Sequence, residues 1–474
     1  MARVLIFTAD IGAGHDLPAA RLADALRRRN AEPTIVDSLA AVGGFVQWAI
    51  RDGIESVLHE HPERFDMQFR PLQRPVLREA ASSLALKLGG GALLREIAEA
   101  RADIVVSTYP GATELLGRLR QDGRLDIPVV SAITDLAALR YWSHPGVDLH
   151  LLIHPESIHE VRAIAGADTR IAVVRGLSDP VFESLPTMAE ARTALGLDVD
   201  RQVVAVSGGG WGVGDIEGAA GVARATGASV VMLCGSNDSL RDRMETTFDG
   251  DDSVLVLGFT DRMPEVLSAA DVLVHSTAGL TVLEAIVCGA RPISFGWGVG
   301  HIRINNRAYE ATGLADVAAD THALAAALDR ALASPPVPDE SYGRRPSAAG
   351  AVLALLESAP LDLATSASTA EDRASQPAPA LQTASATRMP MPPPGVCVQD
   401  SPATTGASAT GTAVWMTKIG TATRATAIRC IAPISSSRPT PATAAMKAAH
   451  AAATSHCLFD TSVARMFVAM PDTV

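Results

Sequence analysis

Apolar residues along this chain fall into short runs separated by amphipathic stretches. Residues 3–7, 34–37, 103–107, 128–133, 149–153 and 171–174 are such runs, while 18–30 and 91–101 repeat their apolar positions at helical spacing. A second series begins near Gln202 with QVVAVSGGG, SVVMLCG, SVLVLGF, VLVHS and RPISFG, each followed by a turn and a helical pattern. Apolar runs of this length suit strands covered on both faces, so the alternation predicts an α/β fold with open parallel sheets. Two series predict two Rossmann-like domains facing a central cleft, over residues 1–178 and 179–358. RGLSDPVFESLPT, from 175 onward, carries two prolines and breaks the period between them. From 359 to 474 the chain is rich in Ala, Thr, Ser and Pro without a sustained period, which predicts a disordered tail.

Composition narrows the partners. The 474 residues carry a formal net charge of -12, which argues against nucleic acid. Cys234, Cys288, Cys397, Cys430 and Cys457 have neither metal-ligand nor CxxC spacing, so a reducing cytoplasm is expected. The first residues run straight into a strand and do not read as a signal peptide, and no apolar run reaches a membrane-spanning length. Membrane contact is therefore expected to be peripheral. HPERFDMQFRPLQRPVLREAA, from His61, interleaves Arg64, Arg70, Arg74 and Arg78 with apolar residues. It reads equally as an anionic-membrane surface or as a solvated cover on the sheet edge, and Pro62, Pro71 and Pro75 forbid one long helix through it.

Three glycine-bearing turns carry the candidate chemistry. DIGAGH at 10–15 places Gly12, Gly14 and His15 between a strand and a helix, where backbone amides approach a phosphate but an imidazole is not required. SGGGWGVGD at 207–215, with Gly208, Gly209 and Gly210, repeats that layout. In VHSTAGLTVLEAIVCGARP, Gly279, Leu280 and Thr281 open a helix whose free N–H groups suit a pyrophosphate. Glu284 follows one turn later, able to accept two hydrogen bonds from a ribose diol. DVD at 198–200 reads as a solvated turn, and no metal site is expected.

Five stretches in order resemble the GT-B glycosyltransferases of the monogalactosyldiacylglycerol synthase and processive diacylglycerol glycosyltransferase group. They are DIGAGH, ITDLAALRYWSHPGVD at 133–148, GGGWGVG at 208–214, LGFTDRM at 257–263 and STAGLTVLEAIVCGARP at 276–292. The resemblance covers roughly residues 1–357. It implies an inverting transfer of a hexosyl group from a UDP-sugar to a lipid such as diacylglycerol, with no cofactor beyond the donor and attachment to the inner face of the cell membrane. His15 is then the candidate general base, for which imidazole suits because its ordinary pKa of about 6.5 leaves it mostly neutral at pH 7. A structural histidine capping the turn is the plainer alternative. Asp135 is the second catalytic candidate; Asp10 or Asp135 is alternatively the base, or the group that orients the imidazole. Trp142 and His144 are expected to line the cleft. Phe259 and Thr260 should border the uracil, Gly279, Leu280 and Thr281 should meet the diphosphate, and Glu284 should hold the ribose. His301 and Asn305 fall where the group has the Gln and Asn of a GQExxN motif touching the sugar. This chain reads GHIRIN there, a departure that leaves the donor sugar open.

Other functions compete with this one. A natural-product or isoprenoid-linked acceptor, or a UDP-sugar epimerase needing no acceptor, would use the same nucleotide half. A nicotinamide-dependent oxidoreductase would use the first turn with Asp37 as the ribose acid, but Leu17 stands where its third glycine belongs. A nucleotide or lipid sensor is the non-enzymatic alternative.

Overall fold

The computed structural model describes residues 1–357 apart from 12, 45, 48–73, 278, 297 and 299. Two six-stranded sheets carry the fold, in the orders β2-β1-β3-β4-β5-β6 and β12-β11-β10-β7-β8-β9. The first is built from β1 (Arg3–Thr8), β2 (Glu32–Asp37), β3 (Ile104–Ser107), β4 (Val129–Ile133), β5 (Leu149–Leu152) and β6 (Ile171–Val173). The second uses β7 (Val203–Ser207), β8 (Ser229–Leu233), β9 (Val254–Leu257), β10 (Val272–His275), β11 (Arg291–Phe295) and β12 (Asp316–Ala318). Every pairing is parallel. Both sheets are therefore of the expected Rossmann-like kind, and β3, β4, β7 and β8 are buried throughout.

Among the described residues, the helices of the first half are α1 (Ala13–Arg27), α2 (Ser38–Val42), α3 (Pro75–Ala100), α4 (Pro110–Gln121) and α5 (Ile158–Ala165). Those that follow are α6 (Met188–Leu195), α7 (Ile216–Ala225), α8 (Asp238–Thr247), α9 (Met263–Ala269), α10 (Leu280–Cys288), α11 (His301–Thr312), α12 (Thr321–Leu332) and α13 (Ala348–Leu356). α3 starts at Pro75, which needs no helical N–H partner at that position. It buries Ser82, Gly89, Gly90, Leu93 and Ile97 on one side. Of the arginine-rich segment singled out above, residues up to 73 lie outside the described ones, as does the tail from 358.

α13 returns to the first half of the fold. Its buried Val352 joins a core cluster with Leu22 and Leu26 of α1 and Val4 and Ile6 of β1. The Ser347 hydroxyl caps α13 by accepting from Gly350 N at 3.1 Å, and it also accepts from Arg29 Nη2 at 3.1 Å. Residues 348–356 thus pack on the first sheet's layer, although they follow the second sheet in the chain.

Candidate active site

Each sheet has one place where the chain reverses its direction of strand addition, and ligands bind outside the carboxyl ends of the strands there. In the first sheet that place lies between β1 and β3. His15 stands on the first turn of α1 directly beyond it. Its Nδ1 lies 2.9 Å from the Thr108 carbonyl oxygen, just past β3. A carbonyl oxygen only accepts, so in the neutral ring Nδ1 carries the proton and Nε2 is the basic nitrogen. The Tyr109 ring meets the imidazole edge-on at 5.3 Å, and the Trp142 ring lies at 5.8 Å. Of the two glycines before it, Gly14 is exposed on α1 and Gly12 lies outside the described residues.

Trp142 joins the two catalytic candidates. It is 2% exposed, and its Nε1 donates to Asp135 Oδ2 at 3.0 Å. The orienting group on His15 Nδ1 is thus a backbone carbonyl, and Asp135 reaches the imidazole's surroundings through the indole. Asp10 donates its backbone N–H to Asp37 Oδ2 at 3.2 Å. The other Asp37 oxygen accepts from Leu39 N and Ala40 N at 2.7 and 2.9 Å, capping α2. Both oxygens of that carboxylate thus accept from N–H groups of the surrounding turn.

His144 does not line the cleft, contrary to expectation. A Cβ on Gly117 of α4 would sit 2.5 Å from its ring, so the missing side chain there is what admits it into the interior. Its Nδ1 accepts from Gly146 N at 3.0 Å, and burial lowers its pKa.

The second sheet reverses between β7 and β10, and the remaining candidates sit on the loops and helices that follow its strands. Gly208 follows β7, where a Cβ would lie 2.5 Å from both Ile216 Cδ1 and the Val213 carbonyl oxygen. The 208–210 turn is thus drawn tightly onto its own loop, with Ser236 N donating to the Gly210 carbonyl at 2.8 Å. Phe259, beyond β9, is 63% exposed, an apolar ring open to a planar partner. Thr260 beside it accepts from Arg262 N at 3.1 Å. Gly279 precedes α10 with φ +98 and ψ −146, a conformation that side-chain-bearing residues avoid. A Cβ there would meet the Thr134 carbonyl oxygen at 3.6 Å, so the head of α10, with Leu280 and Thr281, abuts the loop that carries Asp135.

Glu284 lies on α10 and accepts a hydrogen bond from the Ser178 hydroxyl in the connector between the sheets. Burial pushes its carboxyl up to about 7, against the Ser178 hydrogen bond, which lowers it. Asn305 on α11 is fully buried, and its placement departs from the expected sugar contact. Its Oδ1 accepts from Leu136 N and Ala137 N, both at 3.0 Å, and Nδ2 donates to Ala137 O at 3.3 Å. The amide is spent on the loop next to Asp135, across from its own sheet. His301 opens α11, and its side chain lies outside the described residues. Asp198 and Asp200 form the exposed turn expected of them, with Asp198 Oδ1 accepting from Asp200 N at 3.0 Å.

Sequence reasoning passed over several residues here. Thr108 and Tyr109 follow β3 at the reversal point, a position the strand order would have marked. Tyr309 on α11 is fully buried and reads in sequence like any apolar-face aromatic.

Comparison with known proteins finds two family models on separate stretches of the chain. Residues 15–178 match the family described as monogalactosyldiacylglycerol (MGDG) synthase, and residues 217–334 match glycosyl transferases group 1. The processive diacylglycerol beta-glucosyltransferase of Staphylococcus aureus strain Newman is 25% identical over 201 residues, covering 40% of this chain and 49% of that protein. The same protein from strain USA300 matches to the same extent. The chain spans about half the length of these curated relatives. Among solved structures, Acinetobacter baumannii MurG is 14% identical with a TM-score of 0.46, covering 76% of this chain and 100% of MurG. The spinosyn rhamnosyltransferase SpnG complexed with thymidine diphosphate is 14% identical with a TM-score of 0.47, covering 75% of this chain and 100% of SpnG.

Proposed function

We propose that this chain, a member of the monogalactosyldiacylglycerol synthase and processive diacylglycerol glycosyltransferase family with the GT-B fold, transfers a hexosyl group from a UDP-sugar to a diacylglycerol-type lipid. The observation that carries the proposal is the His15 imidazole, whose Nδ1 faces the Thr108 carbonyl at the first sheet's reversal point. That contact makes Nε2 the basic atom, the arrangement a general base requires. The acceptor hydroxyl gives its proton to His15 Nε2 as its oxygen attacks the anomeric carbon, and the bond from that carbon to the UDP oxygen breaks. Attack opposite the leaving group inverts the anomeric centre. The N–H groups at the head of α10 offset the charge developing on the diphosphate. Glu284 accepts from the ribose hydroxyls, taking the place of Ser178 as its partner, and Phe259 and Thr260 border the uracil. Asp135, held by the Trp142 indole, keeps negative charge near the base and favours the imidazolium as it forms.

Membrane contact belongs to the same proposal. Leu77, Leu84 and Leu88 of α3 are 45%, 48% and 70% exposed. Their helical spacing places them on one stripe, opposite the face that buries Ser82, Gly89, Leu93 and Ile97. Arg74 and Lys87 flank the stripe, the composition of a helix lying on an anionic bilayer. No described helix is long and apolar enough to cross one.

Incubation with each UDP-hexose and diacylglycerol vesicles, followed by mass spectrometry of the lipid fraction, tests the proposal. A new hexosyl lipid supports it. Sugar turnover without any lipid product favours the epimerase instead.

A further inference from the structure

Two of the residues that open α4 do not favour a helix. Tyr109 stands at the N-cap in extended backbone, with φ −131 and ψ 127, and its side chain makes no capping hydrogen bond. Ser, Thr, Asp or Asn would supply that bond, and a tyrosine forgoes it. Gly111 lies in the first turn, where a glycine weakens the helix. Both choices serve one ring instead. A Cβ on Gly111 would sit 2.6 Å from Tyr109 Cε1 and 3.0 Å from Cζ, so the bare glycine is what gives the phenol its place beside the first turn. Two hydroxyls hold the backbone beneath it. Ser107 Oγ accepts from Tyr109 N at 3.3 Å and donates to Tyr109 O at 2.8 Å, and Thr113 Oγ1 donates to the same oxygen at 3.2 Å. Ser107 and Thr113 are both fully buried. What the seated ring meets is the His15 imidazole, with centroids 5.3 Å apart and planes at 75°.

That contact bears on one degree of freedom. The Thr108 carbonyl fixes a single corner of the imidazole, Nδ1, at 2.9 Å. One hydrogen bond leaves the ring able to tilt about that corner, and a tilt swings Nε2, the nitrogen that takes the acceptor's proton. Two aromatic rings in contact with the imidazole oppose the tilt. Trp142 is tied in place by its bond to Asp135, whereas Tyr109 is seated by the space over Gly111. We propose that Tyr109 is a positioning residue of the transfer reaction: its ring, seated over Gly111, holds the His15 imidazole at the tilt that aims Nε2 at the acceptor hydroxyl. This rests on His15 as the base. A base displaced by an ångström loses about a hundredfold in rate, while a nucleotide held by the other half is untouched.

Lipid-dependent UDP release from UDP-hexoses with diacylglycerol vesicles, and UDP titration, test this on full-length proteins. The set is wild type, Tyr109→Ala, Tyr109→Phe, Gly111→Ala, the Tyr109→Ala/Gly111→Ala double variant and His15→Ala. Tyr109→Ala and Gly111→Ala should each lower kcat roughly 10- to 100-fold with UDP affinity unchanged. Tyr109→Phe, which keeps the ring, should recover most of the rate lost in Tyr109→Ala. The double variant should be no slower than Tyr109→Ala, because a methyl at 111 displaces nothing once the ring is gone. Full rate in Tyr109→Ala or Gly111→Ala, with His15→Ala inactive, overturns the inference and leaves the base in place. Losses that multiply in the double variant overturn it too, since they give Gly111 a role of its own. So does Tyr109→Phe as slow as Tyr109→Ala, which moves the role to the hydroxyl, and so does a loss of UDP affinity in either single alanine variant, which makes the role structural. Full rate in His15→Ala, or a wild type without lipid-dependent release, overturns the base and the inference with it.

Discussion

Glu284→Gln gives the sharpest reading of the donor half. In the folded chain the Glu284 carboxyl is raised from 4.5 to about 7, chiefly by burial. At about 1.4 kcal/mol per pKa unit, holding it ionised costs the fold on the order of 3 kcal/mol. The sign follows from the direction of the shift. Below the unfolded value the carboxyl is protonated in both states and costs nothing. As pH rises the unfolded chain ionises first, and stability falls until the folded carboxyl has ionised as well. Glutamine keeps the acceptor for Ser178 and does not titrate. The variant should therefore match wild type near pH 4.5 and exceed it by up to ~3 kcal/mol above about pH 8. For a fold of this size that gap corresponds to a few degrees in Tm. Paired melts across that range measure it, since every other titration is common to both proteins. UDP supplies the second half of the test. If ribose hydroxyls bind the ionised carboxylate, affinity for UDP should rise with pH through about 7 in wild type and stay level in Glu284→Gln. A stability gap that does not change with pH would refute the reasoning, as would UDP binding indifferent to the substitution.

Three further outcomes are expected. His15→Ala should lower kcat by about 10²–10⁴ with UDP affinity nearly unchanged, measured by steady-state UDP release and by titration. Leu84→Glu combined with Leu88→Glu should abolish sedimentation with anionic vesicles while leaving Tm within about 1 °C, because both side chains point away from the core. Asn305→Ala should destabilise the fold by roughly 1–3 kcal/mol, since it strands the buried Leu136 and Ala137 amides, and chemical denaturation reads this directly.

The strand positions were legible in the sequence because parallel strands buried on both faces read as unbroken apolar runs. Five of the second sheet's strands stand out in this way, whereas β12 is only Asp316–Ala318 and too short to rise above its surroundings. The return of α13 onto α1 was not legible, since nothing local in an Ala-rich helix says which layer it joins. His15 was found beside a glycine turn and Asp135 and Trp142 through the resemblance of residues 133–148, and the structure gathers them around one indole. Asn305 and His144 show what pattern cannot carry. Asn305 sits at a motif position, but the approaching 136–137 backbone claims its amide. His144 sits in a matching stretch, but the space over Gly117 draws it inward.

The most direct test of the account is the rate of UDP release from UDP-hexoses by wild type and His15→Ala, with and without diacylglycerol vesicles. The account predicts release that depends on the vesicles and collapses in the variant. Release that ignores the vesicles, or that survives loss of His15, would contradict it.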